Sequence, residues 1–252
     1  HHQCCTDNMP RGFFDWASTV VTQGPGGALD LNLLGDAQAE IDGVRIEVSG
    51  NYPVSDTFRV RVRADRPVCL RLRVPGWSPS VAVDGVARVP ANGRVALDTA
   101  GRDTVWTVSL DLSPRLLPSS APEDEDISVI PGQADWHRPS YAERYMSWLT
   151  PEMETLARRT HAAQVMRGPL VLAKGRVAGT SRAETLDFET VNARGWTAGA
   201  LVPMPRTADS AAAWGAWTLE LRRGTERRFI PVADYWSASC ANDPGNWFSL
   251  WF

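Results

Sequence analysis

The chain has 252 residues, 43% of them hydrophobic and 22% charged, with a net charge of −3. That length accommodates one large domain or two small ones with a sizeable core and no need of staples, and the charge balance advertises no basic surface for nucleic acid. No run of about eighteen apolar residues is present, so no membrane helix is expected; no signal peptide is visible, and the cellular address is left open. Lysine occurs once, at Lys174, among 26 basic residues, which points to a GC-rich bacterial genome and not to chemistry.

The chain opens HHQCCTDNMPRG, with Cys4 and Cys5 adjacent. Neighbouring cysteines can form a strained vicinal disulfide, remain two inert thiols, or bind a soft metal as thiolates, with zinc the usual guest. A zinc shell needs about four ligands, and no C-x-x-C partner lies nearby, although His1 and His2 could contribute. On spacing alone the pair reads as half of a site. Residues 11–21, RGFFDWASTVV, carry apolar side chains at 13, 14, 16, 17, 20 and 21, which predicts a short amphipathic helix with Pro10 in its first turn. GPGG at 24–27 then breaks the chain.

From residue 28 the period changes to two. LDLNLL (29–34), VRIEVS (44–49), FRVRVRA (58–64), VCLRLRV (68–74) and TVWTVSLDL (104–112) all alternate, the mark of half-buried antiparallel strands. VAVDGVAR (81–88) holds Asp84-Gly85 between apolar runs, the type I′ hairpin signal. Turns at this spacing predict an antiparallel β-sandwich. Residues 117–138 read as a long loop, and their acidic run Glu123–Asp126 as solvated. Residues 140–163 look helical in two pieces broken before Pro151. TADSAAAWG (207–215) is read as holding one more helical turn, and strands return at 165–174, 216–222, 227–236 and 247–252. Four cysteines make no disulfide scaffold; Cys69 is expected as a small core residue and Cys240 as structural, a bridge between them being permitted but not demanded. The eleven tryptophans suit either core filling or stacking on sugars.

A resemblance joins these landmarks. HQCCTDNMPRG resembles the Cys-Cys-x-x-Asn…Arg segment of the β-L-arabinofuranosidases of glycoside hydrolase family 127. LRLRVPGW (70–77), VDG (83–85), NGRVAL (92–97), TVWTVSLDLSPRLL (104–117), MRGPLVLA (166–173), RFIPVADYW (228–236) and WFSLWF (247–252) are similar to later segments of that family, in the same order. The resemblance implies an active site in an upstream (α/α)6 barrel, of which this chain is a C-terminal portion. It implies domains at 1–27 (end of the helical barrel segment), 28–117 plus 164–175 (first β-sandwich), 118–163 (loop and helical insertion) and 176–252 (second C-terminal β-sandwich region).

The resemblance also implies roles. Cys4 is the nucleophile and a Zn²⁺ ligand; Cys5 is a second zinc ligand. An upstream cysteine and glutamate complete the shell, and another upstream glutamate is the general acid/base. Thr6 and Asp7 differ from the prolines that family members often carry there, whereas Asn8 and Arg11 match and are read as helix cap and anchor. The expected function is retaining cleavage of β-L-arabinofuranosides or a related sugar, with the chain inactive alone. Its expected partners are a carbohydrate substrate and the upstream barrel of the same protein, without nucleic acid or membrane; a homo-oligomer is left open. The competing expectation is a non-catalytic carbohydrate-binding or structural β-sandwich module.

Overall fold

A computed structural model describes residues 14–118, 163–181, 195–205, 213–239 and 248–249. The chain divides into two units, His1–Leu112 and Ser113–Phe252.

The first unit begins with helical residues 14–19. Ten strands follow: β1 (Val21–Gln23), β2 (Leu29–Leu31), β3 (Ala37–Ile41), β4 (Val44–Ser49), β5 (Thr57–Arg63), β6 (Cys69–Arg73), β7 (Val81–Val83), β8 (Val86–Arg88), β9 (Arg94–Asp98) and β10 (Asp103–Leu110). They form a four-stranded sheet, β1-β2-β6-β9, and a six-stranded sheet, β3-β4-β5-β10-β7-β8. Alternation decides which side chains meet. Phe58, Val60 and Val62 of β5 are buried, while Arg59 and Arg63 face solvent. Leu29, Leu31, Leu70, Leu72, Val95 and Leu97 of one sheet join Val44, Ile46, Val60, Val62 and Val108 of the other in a single apolar core. That shared core makes the pair of sheets a sandwich, as the alternation predicts.

One pairing departs from the antiparallel expectation. β2 and β6 run parallel, with Leu29 opposite Leu70 and Leu31 opposite Leu72. The reason is topological: β3, β4 and β5 lie between them in sequence but in the other sheet, and such a crossover returns the chain in the same direction. Asp84 and Gly85 adopt φ of 50° and 76°, the two positive values of the predicted hairpin. Asp42-Gly43, at 49° and 74°, uses the same chemistry to join β3 to β4.

The second unit holds β11 (Pro114–Pro118), β12 (Ala163–Arg167), β13 (Leu170–Gly175), β14 (Thr197–Pro203), β15 (Ala216–Arg223), β16 (Glu226–Asp234) and β17 (Phe248–Ser249), with a short helix at Tyr235–Ser239. The strands form one antiparallel sheet in the order β11-β12-β13-β16-β15-β14, with β17 beside β13. Residues 164–175, expected with the first sandwich, stand in this sheet. β12 pairs with β11, and β13 pairs with β16 through Leu172–Asp234 and Ala173–Ala233. Ala163, expected to end a helix, opens β12. The remainder of the predicted insertion, residues 119–162, lies outside the described residues.

Glu220 of β15 is a buried acid that the alternation does not announce. Its carboxylate accepts from Arg222 at 2.6 Å, from Arg227, and from the Ala200 N–H at 3.3 Å, beside a register shift in β14 between Ala198 and Leu201. Arg222 first, then the Ala200 N–H and Arg227, outweigh burial and hold its pKa down from 4.5 to about 2. A depressed carboxylate contributes stability that is full above its unfolded pKa and is lost as pH falls through the folded one. Glu220→Gln is therefore expected to flatten the acid limb of stability between pH 4.5 and about 2, the slopes differing there by about one proton. Urea midpoints of both proteins across this range measure it; parallel acid limbs would contradict it.

Candidate functional site

Cys4 and Cys5, the predicted nucleophile and zinc ligands, lie outside the described residues, as do His1, His2, Asn8, Arg11, Cys240 and the acidic run 123–126. The structure does describe how the segment after the pair is fastened. Ser18 Oγ donates to Asp15 O at 2.8 Å and Thr19 Oγ1 to Trp16 O at 2.9 Å, tightening the helical residues 14–19. Val20 and Val21 then enter the core of the first sandwich. Phe14 and Trp16 on the helical turn remain 77% and 51% exposed.

A polar network fixes the turn to the sheet. On the outer face of β1-β2-β6, register lines up Thr22, Asp30 and Arg71. The Asp30 carboxylate, largely buried, accepts from Arg71 Nε at 2.6 Å and Nη2 at 2.7 Å, with Arg94 Nη1 at 3.5 Å. This bidentate pair raises the Arg71 pKa, with the Asp30 hydrogen bond as the main cause. Arg94 Nη2 donates to Asn32 Oδ1 at 2.9 Å, and Asn32 Nδ2 donates to Thr19 O at 3.1 Å and Thr22 Oγ1 at 3.0 Å. A bonded path thus runs from β9 through β2 to the end of the helical turn. Gly24 lets the β1–β2 loop lie close over the path, since a Cβ there would stand 2.5 Å from Arg71 Nη2. The network carries no reactive group; its chemical role is to hold the chain.

Cys69 sits on this outer face and not in the core. Leu70 and Leu72 take the inward positions of β6, so Cys69 shares the outward phase with Arg71 and Arg73. It is a free thiol, so it makes no bridge to Cys240. Burial first, then Asp98, pushes its pKa up, which keeps it protonated and a poor nucleophile. Among the described residues no group of three His, Cys, Asp or Glu side chains could hold a metal ion. The two thiols of Cys4 and Cys5 are by donor type suited to zinc, whose shell takes about four ligands.

The tryptophans divide. Trp106, Trp196 and Trp217 are buried, and Trp77 packs at the edge of the first core. Trp16, Trp214 and Trp236 are exposed.

Residues 28–113 match the model of the middle domain of the GH127 beta-L-arabinofuranosidases. The match covers about a third of the chain, and over that stretch the chain is similar to this family. The matched segment coincides with the sandwich of the first unit, from the start of β2 to just past β10, and the family resemblance carried by the sequence is borne out. Solved structures show the same fold. One, described as a GH127 beta-L-arabinofuranosidase from Geobacillus stearothermophilus T6, is 18% identical with a TM-score of 0.55, covering 98% of this chain and 37% of its own. Another, described as a glycoside hydrolase, is 16% identical with a TM-score of 0.58, covering 99% of this chain and 39% of its own. The chain therefore spans less than two-fifths of the length of either structure. No curated protein matches it.

Proposed function

We propose that this chain is part of a retaining glycoside hydrolase that cleaves β-L-arabinofuranosides or a related sugar, with Cys4 as its nucleophile. The observation that carries the reading is the double cysteine standing just ahead of a family 127 middle domain. Cys4 and Cys5 would hold zinc, with the remaining ligands supplied upstream. Bound zinc would keep the thiols ionised at neutral pH. Cys4 Sγ then attacks the anomeric carbon, the glycosidic C–O bond breaks, and the leaving oxygen takes its proton from the upstream general acid. Water, deprotonated by the same group, displaces the sulfur, and two inversions give retention. The Asp30–Arg71–Arg94–Asn32 network supports this reading by fastening the segment that follows the cysteines to a rigid sandwich.

Hydrolysis of an aryl β-L-arabinofuranoside and zinc content, measured on the whole protein and on the 252-residue chain, test the proposal. The whole protein is expected to turn over and to hold zinc. The chain alone is expected to lose at least about 10²–10⁴ in rate for want of the general acid and to hold zinc weakly on two thiolates. Zinc that stays stoichiometric in the chain after mild chelation, or robust turnover by it, would overturn the assignment of the upstream half.

A further inference from the structure

The end of β16 builds a second feature, in the second unit. Asp234 is 1% exposed, and donors satisfy its carboxylate. Oδ1 accepts from Ser237 N at 2.9 Å; Oδ2 accepts from Ser237 Oγ at 2.7 Å and from Gly215 N at 3.1 Å. Ser237 Oγ in turn accepts from Trp214 N at 2.9 Å. One buried acid therefore ties the first turn of the helix Tyr235–Ser239 to the segment entering β15. On this frame the large side chains turn outward: Trp236 is 69% exposed, Trp214 55%, Tyr235 40% and Phe248 40%. The Tyr235 and Phe248 rings lie 5.8 Å apart at 53°.

We propose that this surface binds a neutral glycan chain. Its composition selects that occupant. Leu117 and Val202 aside, every large exposed apolar side chain among the described residues of the second unit is aromatic, and the four on this frame include no aliphatic anchor of the kind a surface shaped for another protein also uses. Aromatic faces carry negative charge density that attracts the polarised C–H groups of a sugar ring, and the wet edges of Tyr and Trp tolerate its hydroxyls. The helix sequence Tyr-Trp-Ser-Ala-Ser holds no charge, which favours a neutral sugar over an acidic one. The frame is pre-organised, because the hydrogen bonds of Asp234 fix the backbones of Trp214 and of the helix before any ligand arrives. The proposal goes beyond the hydrolase reading by assigning a glycan contact to the second unit.

The test is affinity electrophoresis of the 252-residue chain through gels containing neutral linear arabinan or anionic polygalacturonate. The arabinan is expected to retard the chain and the polygalacturonate is not. Trp236→Ala and Trp214→Ala are each expected to weaken retardation about tenfold, the order of a lost aromatic contact, with thermal unfolding of Trp236→Ala unchanged because that ring is exposed. No retardation by arabinan, equal retardation of both variants and the parent, or a parent dimer that Trp236→Ala converts to monomer would each overturn the proposal, the last by giving the surface to a second copy. Retardation is read without turnover, so its failure leaves the hydrolase reading untouched, and a failure of hydrolysis leaves this one untouched.

Discussion

Gly50→Ala is expected to destabilise the first sandwich by roughly 2–5 kcal/mol, combining overpacking with a strained backbone. Gly50 follows β4 with φ of +144°, where L side chains are disfavoured. A Cβ there would stand 2.7 Å from Phe58 Cα, 2.9 Å from Phe58 Cβ and 3.0 Å from Thr57 O. Two of these three neighbours belong to backbone in the β5 strand, and Phe58 itself is fully buried, so nothing flexible can yield. Against a domain stability of about 5–15 kcal/mol, such a loss leaves the unit marginal. Gly26→Ala is the matched control. Its φ of +70° is also positive, but no atom lies within 4 Å of its new Cβ, so only the backbone term of about 1–2 kcal/mol applies. Urea unfolding of both variants measures the difference; equal midpoints would show that the contact with β5 is immaterial.

The two cysteines are expected to fail differently when each is removed from the whole protein. On the proposed mechanism Cys4→Ala deletes the attacking sulfur, and turnover should fall by roughly 10⁴ or more. On the same proposal Cys5→Ala leaves the nucleophile but takes away a zinc ligand. Zinc affinity should drop by more than the roughly 10–100-fold seen when a residue merely supporting a ligand is lost. The Cys4 thiol then drifts up toward its free pKa of about 8.5. A raised thiol pKa moves the reactive thiolate to higher pH, so the activity remaining in Cys5→Ala should climb from neutral toward alkaline pH while that of Cys4→Ala stays flat. The pH profile of kcat/KM for both variants, alongside metal analysis, distinguishes them. Turnover surviving in Cys4→Ala would remove sulfur from the mechanism altogether.

Much of the first sandwich was legible because each of its long strands is half-buried. VRIEVS and FRVRVRA announce both their strand state and their inward face. Where one face does not differ sharply from the other, the signal fails. β3 reads AQAEI, with small residues in place of branched ones, and none of its residues is fully buried. β14 reads TAGALVP, with a glycine inside a register shift. Val20 and Val21 fit a helical period as apolar positions, yet Val21 opens β1, because both are needed by the sandwich core. The phase of Cys69 was misread for a related reason: a small apolar residue beside two leucines is counted inward, but the leucines set the phase.

Partners distant in sequence were beyond reach. The strand character of 165–174 is local, whereas its pairing with β16 is not. Asp30 and Arg71 are 41 positions apart, and nothing in LDLNLL or LRLRV tells that they meet. The two adjacent thiols were read as chemistry and as part of a family pattern, of which the match at 28–113 bears on the middle domain alone.

The bond between Arg94 and Asn32 joins residues 62 positions apart. During synthesis, therefore, the ribosome has delivered β2 long before it delivers the residue that completes the clamp on the N-terminal turn. The parallel β2–β6 pair waits as well, since β6 emerges only after three strands of the opposite sheet. Loop closure over such distances is slow compared with hairpin formation. The hairpins of the six-stranded sheet can close as they appear, and the segment that follows the cysteines is secured last. A nascent chain thus leaves the helical turn at residues 14–19 unsecured until the sandwich is nearly finished.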